Sequence, residues 1–314
     1  MYRIVTARIA QALPVMLIVA ILTFLLMHML PGDPAVIIAG DQAGPEAIAA
    51  VRHSLGLDRP VPEQLWRWLT HLAQGNFGDS LILNQPVLQA VAERLPVTLS
   101  LAAVAFAITV PVGVALGIVA AYWRNSWLDS AVMGFALVGV SVPSFWIATL
   151  SVILFSVNLG WLPSAGYVPM SDGFGAWLAA LIQPAVVLAL FQIGFLARMT
   201  RSEMLEILDQ DFVRTARAKG VSEFRTVGKH AFRNTLVSVV TVGGYILSLL
   251  IGGSVVVEQV FALPGIGRLL VQAILARDYP TVQGTMLLLG FAFVLINVLI
   301  DIVYTFIDPR VRYD

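Results

Sequence analysis

The stretch LPVTLSLAAVAFAITVPVGVALGIVAAYW, from Leu95 to Trp123, carries no charged side chain between Arg94 and Arg124. About 20 apolar residues suffice for a helix to cross a bilayer, so this run predicts a membrane span. Five more runs of the same kind lie around it. The first covers about 9–30, interrupted only by Gln11, Thr23 and His28 among its polar side chains. Two share the stretch from Asp129 to Arg198, divided near Gly160, Trp161, Pro163, Gly166, Pro169 and Asp172, residues that mark turns. The fifth span lies between Arg233 and Glu258, and the sixth runs from Asp278 to about Phe306. The expected fold is all-α, a polytopic membrane bundle of six transmembrane helices.

Composition agrees. Hydrophobic residues make up 58% of the 314-residue chain and charged residues 12%, with a mean hydropathy of +0.85. Soluble domains carry about 25% charged residues, so lipid must cover much of this surface. The net charge of zero gives no support to a nucleic-acid partner. There is no cysteine, which excludes disulfides, thiolate metal sites and thiol nucleophiles. Arg3 and Arg8 precede an apolar run, as in a signal peptide. However, the run is too long for a signal core and Leu30-Pro31-Gly32-Asp33 is a poor small-residue cleavage site, so the first helix is read as retained.

Lys and Arg distribution sets topology. With six spans, both termini share a side with Arg124 and the loop 198–236. That side holds thirteen of the nineteen basic residues. Four of the other six, Arg52, Arg59, Arg67 and Arg94, lie in the long segment 31–96, where charge counts least. Both termini are therefore expected in the cytoplasm.

The loop 198–236 is the informative segment. Met204, Leu208, Phe212, Thr215 and Ala218 recur at a spacing that suits one helical face. Acidic residues come early (Glu203, Glu206, Asp209, Asp211) and basic ones late (Arg214, Arg217, Lys219), complementing the helix dipole. Gly220 sits where a C-cap glycine belongs and Ser222 where a second short helix needs an N-cap. In that helix Arg225, Lys229 and Arg233 form a basic stripe. Two short helices joined at a glycine can dock as a rigid knob on another protein. The same basic stripe also suits contact with anionic headgroups.

Arg214-Thr215-Ala216-Arg217-Ala218-Lys219-Gly220-Val221-Ser222-Glu223, followed by Lys229-His230-Ala231-Phe232-Arg233-Asn234, resembles the coupling loop of ABC importer permeases. Within these it is similar to the dipeptide, oligopeptide, nickel and glutathione group. The strict motif begins Glu-Ala-Ala; this chain has Arg214 and Thr215 in the first two places and keeps Ala216 and Gly220. The resemblance extends to His28-Met29-Leu30-Pro31-Gly32-Asp33-Pro34, Leu55-Gly56-Leu57-Asp58-Arg59-Pro60 and Gly75-Asn76-Phe77-Gly78-Asp79-Ser80. It continues at Gly253-Ser254-Val255-Val256-Val257-Glu258, Pro264-Gly265-Ile266-Gly267-Arg268, Arg277-Asp278-Tyr279-Pro280, and Asp308-Pro309-Arg310 with Arg312.

The resemblance implies a type I permease fold in a bacterial cytoplasmic (inner) membrane. Residues 1–30 would be the cytoplasmic N-terminus and first span, 31–96 an external loop region, and 97–314 a core of five spans with its coupling loop at 198–236. It implies a non-catalytic chain whose partners are a second homologous permease subunit, two ATPase subunits that use ATP and Mg, an external solute-binding protein and membrane lipid. Arg214, Thr215, Ala216, Arg217, Lys219, Gly220, Ser222 and Glu223 are the expected ATPase-coupling residues. Glu258, Pro264, Gly265, Gly267, Arg268 and Asp278 are candidates for an external gate or a docking surface for the binding protein. An amphipathic surface segment with Leu269, Leu270, Ala273 and Ile274 on its apolar face is the competing reading of that region. Substrates of the group are short peptides, peptide-like molecules such as glutathione, and nickel complexes.

The chain has no Gly-x-x-x-x-Gly-Lys-[Ser/Thr] phosphate loop and no His-Glu-x-x-His motif, and no cofactor or metal is expected in it. Asp301, near the cytoplasmic end of the sixth span, is an intramembrane polar candidate, although pairing with a basic neighbour would satisfy it. Gly243-Gly244 and Gly252-Gly253 are read as close-packing positions. A stand-alone secondary carrier is the alternative from another class. Such carriers show midplane charges and internal repeats, neither of which is evident here.

Overall fold

The computed structural model describes residues 2–29, 33–40 and 43–307. The chain divides into two compact units: residues 1–96 with 264–295, and residues 97–263 with 296–314. The described regular structure is helical. In chain order it comprises α1 (Tyr2–Met29), α2 (Pro34–Ala39), α3 (Pro45–Ser54), α4 (Val61–Ala73), α5 (Val87–Tyr122), α6 (Trp127–Ser141) and α7 (Ser144–Ser151). Then follow α8 (Phe174–Leu208), α9 (Asp211–Ala218), α10 (Glu223–Arg225), α11 (Phe232–Val260), α12 (Ile266–Leu275) and α13 (Tyr279–Ile307).

Among the described residues five helices are long and apolar enough to cross a membrane, namely α1, α5, α8, α11 and α13. The third expected span is not one straight helix. It is α6 followed by α7, the latter continued by a wider turn over Val152–Asn158, and the two parts are bent by 99°. The cause is local. Pro143 lacks an N–H and cannot extend α6, and Val142 before it is held extended at φ −93°, ψ 126°. Counting the bent pair as one crossing gives six.

In the second unit, glycines let helix backbones come together. A Cβ on Gly117 would stand 2.5 Å from Thr200 Cβ and 2.7 Å from the Ala197 carbonyl, so only glycine allows α5 to lie this close to α8. A Cβ on Gly194 would stand 2.8 Å from Ala136 Cα, which brings α8 equally close to α6. The close-packing reading also holds at Gly244, where a Cβ would meet Ile300 at 2.5 Å. Membrane helices gain little from hydrophobicity against one another and rely on such close contact. Buried Gln183 adds a polar tie between α8 and α7, accepting from Ser156 Oγ at 3.0 Å and donating to Ser151 Oγ at 3.2 Å.

In the first unit, α12 is a packed element. Ile266 and Leu269 join Val87, Ala90 and Val91 in one buried cluster, and Leu270 and Ala273 join Met27 and Val282 in another. Ile274, expected on the same apolar face, is exposed. At about 15 Å, ten residues of helix cover half the hydrocarbon thickness. Asp33 N-caps α2 by accepting from the Ala35 N–H, and it pairs with Arg52. The Arg52 guanidinium holds the Asp33 carboxyl below its ordinary value, so this tie persists as pH falls and is lost only below the usual carboxylate range.

Candidate functional site

The loop between α8 and α11 is a small folded body. α8 stops at Leu208, and the extended Gln210 (φ −77°, ψ 152°) turns the chain into α9. The single helix expected across 203–219 is therefore two. The buried face shifts with the break: Met204, Leu208, Val213 and Ala216 point inward, whereas Phe212, Thr215 and Ala218 are exposed.

α9 ends in a complete Schellman closure. Gly220, at φ +78°, donates its N–H to the Arg217 carbonyl at 2.9 Å, and the Val221 N–H reaches the Ala216 carbonyl at 3.2 Å. Arg217 spans the turn to Glu223 with a bond of 2.8 Å. Ser222 occupies the N-cap position of α10 in extended conformation, but its side chain makes no capping bond. The chain then passes through a wide turn over Thr226–Ala231 into α11.

The inner face of this body is nailed to the ends of the long helices. Val213, Val227 and Ala231 are buried together with Ala121 of α5 and Met204, Ile207 and Leu208 of α8. Thr235 of α11 adds a 3.2 Å contact to Met204 Sδ. The outer face carries Arg214, Arg217, Lys219, Arg225, Lys229 and Arg233, all exposed. Between them projects Phe224, 89% exposed. Of the expected coupling residues, Ala216 thus anchors the loop from below, and Arg214, Thr215, Arg217, Lys219, Gly220, Ser222 and Glu223 lie on its surface. The side chain of His230 lies outside the described residues, as does that of Asp301.

Two charged residues that sequence reading passed over brace the base of this loop. Asp129, in the first turn of α6, receives a two-pronged contact from Arg201 of α8, at 2.6 and 2.7 Å. The Asn125 N–H also reaches Asp129, at 3.0 Å. Arg124 approaches Asp209 at 3.8 Å on the exposed side of the same region. An acid in the first turn of an apolar run was the available signal for Asp129. Its partner, 72 residues away, left no signal.

The remaining candidates fall in both units. In the second, Glu258 is fully buried near the end of α11 and accepts from Thr98 Oγ1 at 2.8 Å and Ser254 Oγ at 2.9 Å. Hydrogen bonds of this kind offset part of the cost of burying a carboxyl group. In the first, Asp278 is 1% exposed and N-caps α13, accepting from the Thr281 N–H at 3.2 Å and Thr281 Oγ1 at 2.8 Å. It also takes Ser80 Oγ at 2.5 Å, a tie across 198 residues of sequence. Pro264 is exposed, Gly265 and Gly267 are buried and Arg268 is half-buried at the start of α12.

Comparison with known proteins covers nearly the whole chain. Residues 113–313 match the family described as binding-protein-dependent transport system inner membrane component, and residues 1–102 match the N-terminal domain of such membrane components. A protein of Brucella abortus (strain 2308) named as a peptide transport system permease is 68% identical over 314 residues, 100% of each chain. The glutathione transport system permease protein GsiC of Salmonella typhimurium is 44% identical over 313 residues, again 100% of each chain. Among solved structures, the MetNI methionine ABC transporter in an inward-facing conformation superposes with a TM-score of 0.54 at 22% identity. That match covers 71% of this chain and 96% of the other, and it supports the fold alone. By sequence over its full length and by fold, this chain belongs to the family of binding-protein-dependent transport system inner membrane components, the permeases of ABC importers.

Proposed function

We propose that this chain forms half of the translocation pathway of an ATP-driven importer of short peptides or peptide-like molecules such as glutathione. The relatives named for peptides and for glutathione support that substrate class over nickel complexes. In this reading a second related permease completes the pathway, and an external binding protein delivers substrate. Two ATPase subunits supply the hydrolysis, with ATP and Mg bound there and not here. Both termini and the α8–α11 loop face the cytoplasm of a bacterium whose inner membrane the chain crosses, as the basic-residue asymmetry favours.

The observation that carries the reading is the construction of that loop. Its inner face is fused to the ends of α5, α8 and α11, and its outer face presents cations around one exposed aromatic ring. A body so built passes a push on its outer face directly into the long helices. Glu258 and Asp278 fit this scheme as positioning residues near the outer ends of α11 and α13, held by hydroxyl donors and not offered to substrate.

Affinity purification of the tagged chain from native membranes tests the assembly. Recovery of a second permease, ATPase subunits and a binding protein supports the proposal. Recovery of this chain alone as a transport-active homo-oligomer overturns it. Gly220→Val tests the loop. No atom lies within 4 Å of the Cβ it would add, so the effect is backbone strain and not a clash. The left-handed conformation costs a non-glycine residue about 1–2 kcal/mol, a factor of about 5–30. The variant is expected to insert normally and to lose ATPase docking and transport by that order. Unchanged copurification and uptake would remove the loop from the mechanism.

A further inference from the structure

We propose that the exposed face shared by α8 and α11, centred on Tyr245, is a water-lined wall of the translocation pathway. The assignment rests on the importer reading above and adds which side of this chain the transported solute meets.

α8 and α11 run antiparallel in contact. Thr235 touches Met204 at 3.2 Å, and further along the rings of Tyr245 and Phe195 lie 6.4 Å apart between centroids. Beside that ring contact α11 carries Ser238, Thr241 and Tyr245, and α8 carries Phe191, Phe195 and Arg198. Spacings of three and four residues put each trio on one face of its helix. Tyr245 is 56% exposed and Phe191 42%, and Arg198 is exposed as well.

Depth decides what covers this face. Asp209 of α8 approaches Arg124 at 3.8 Å just past the end of α5, and that pair marks the cytoplasmic border. Arg198 lies eleven residues up α8 from Asp209, about 16 Å along the helix axis. Tyr245 is twelve residues from Arg233 and thirteen from Glu258, the charges that bound its apolar run, so about 18 Å of helix separates it from the nearer one. Lipid-facing tyrosines gather at the interface, where the hydroxyl reaches water. An arginine within a span faces protein or a water-filled cavity. Thr241 satisfies its hydroxyl on its own helix, donating to the Val237 carbonyl at 2.8 Å. Tyr245 makes no side-chain hydrogen bond, and Arg198 no ion pair, among the described residues. Leaving a hydroxyl unmet in hydrocarbon is costly. The outward side of α1 shows the contrast: Leu17, Ile18, Leu22, Leu25 and Leu26 are all exposed and all aliphatic, as lipid contact requires. Water supplies what Tyr245 and Arg198 lack. A peptide-like solute passing along this wall meets a hydroxyl that both donates and accepts, for its amides, and two phenylalanine rings for its apolar side chains.

The chain has no cysteine, so a single introduced thiol reports alone within it. Tyr245→Cys, with Leu22→Cys as the lipid-facing control, is compared in the assembled importer in inverted membrane vesicles, where a charged methanethiosulfonate and ATP both meet the cytoplasmic face. The two positions are 56% and 54% exposed in the fold, so a difference between them reads water and not packing. Thiolate is the reacting form and is suppressed in apolar surroundings. Tyr245→Cys is expected to react at least about tenfold faster than Leu22→Cys, the thiolate ratio for a one-unit rise in thiol pKa. Locking the ATPase subunits closed with MgATP and orthovanadate should slow the Tyr245→Cys reaction by a similar factor, because a pathway wall is then shut off from the cytoplasm. A rate at Tyr245→Cys no faster than at Leu22→Cys overturns the proposal, the face then lying on lipid or dry against a second permease. So does a fast rate that orthovanadate leaves unchanged, which makes the face a static wet crevice. If Tyr245→Cys fails to assemble, Thr241→Cys on the same face takes its place. Copurification of the ATPase subunits is scored beforehand from the same vesicles, so failure of the importer reading is seen separately from failure of this assignment.

Discussion

An importer in which Phe224 is replaced by alanine is expected to lose ATPase docking by about 2–4 kcal/mol, the range of an aromatic anchor at the centre of an interface. The ring is 89% exposed in a chain whose neighbouring loop residues, Glu223 and Arg225, are charged. Truncation should therefore leave the folded permease intact. The separation of effects is the test: unchanged expression and thermal stability, with ATPase subunits lost from the purified complex and uptake abolished. Retention of full uptake would place the docking energy in the surrounding Arg and Lys side chains. Phe212, at 41% exposure, is expected to contribute less on the same face.

The second large effect concerns folding. Arg201→Leu leaves the Asp129 carboxylate, whose side chain is 8% exposed, without its cation. Stranding one member of a buried pair costs about 3–5 kcal/mol, and this should be read as a lowered thermal midpoint of the detergent-solubilised protein. Adding Asp129→Asn to Arg201→Leu removes the stranded charge, and the double variant should recover most of the loss. A single variant that costs less than about 1 kcal/mol would mean that the pair behaves as an ordinary solvated surface bridge.

The long helices were legible because a span must be apolar along its whole length, a requirement that leaves a coarse signature. Gly220 was legible because its place after a run of basic residues predicts a left-handed cap, and its φ of +78° agrees. The break at Asp209 and Gln210 was not. Neither residue is a strong helix breaker, and the inward turn of Val213 and Ala216 is set by packing against Ala121 and Met204, which are remote in sequence. Val142-Pro143 did carry a local signal for the bend between α6 and α7, but it lay inside a run whose apolar character alone predicts a straight span. Each of Asp129, Glu258 and Asp278 also has a distant partner, 72, 160 and 198 residues away, where periodicity and propensity are blind.

The glycine contacts at 117 and 194 have a mechanical consequence. Where backbones touch without intervening side chains there are no rotamers to absorb displacement, and a close-packed interior transmits strain instead of dissipating it. α5, α6 and α8 should therefore behave as one stiff body with little compliance. In the proposed coupling role, a stroke delivered at Phe224 would reach the far ends of these helices with little loss, and the slack that a moving part requires would be supplied by bends such as the one at Pro143.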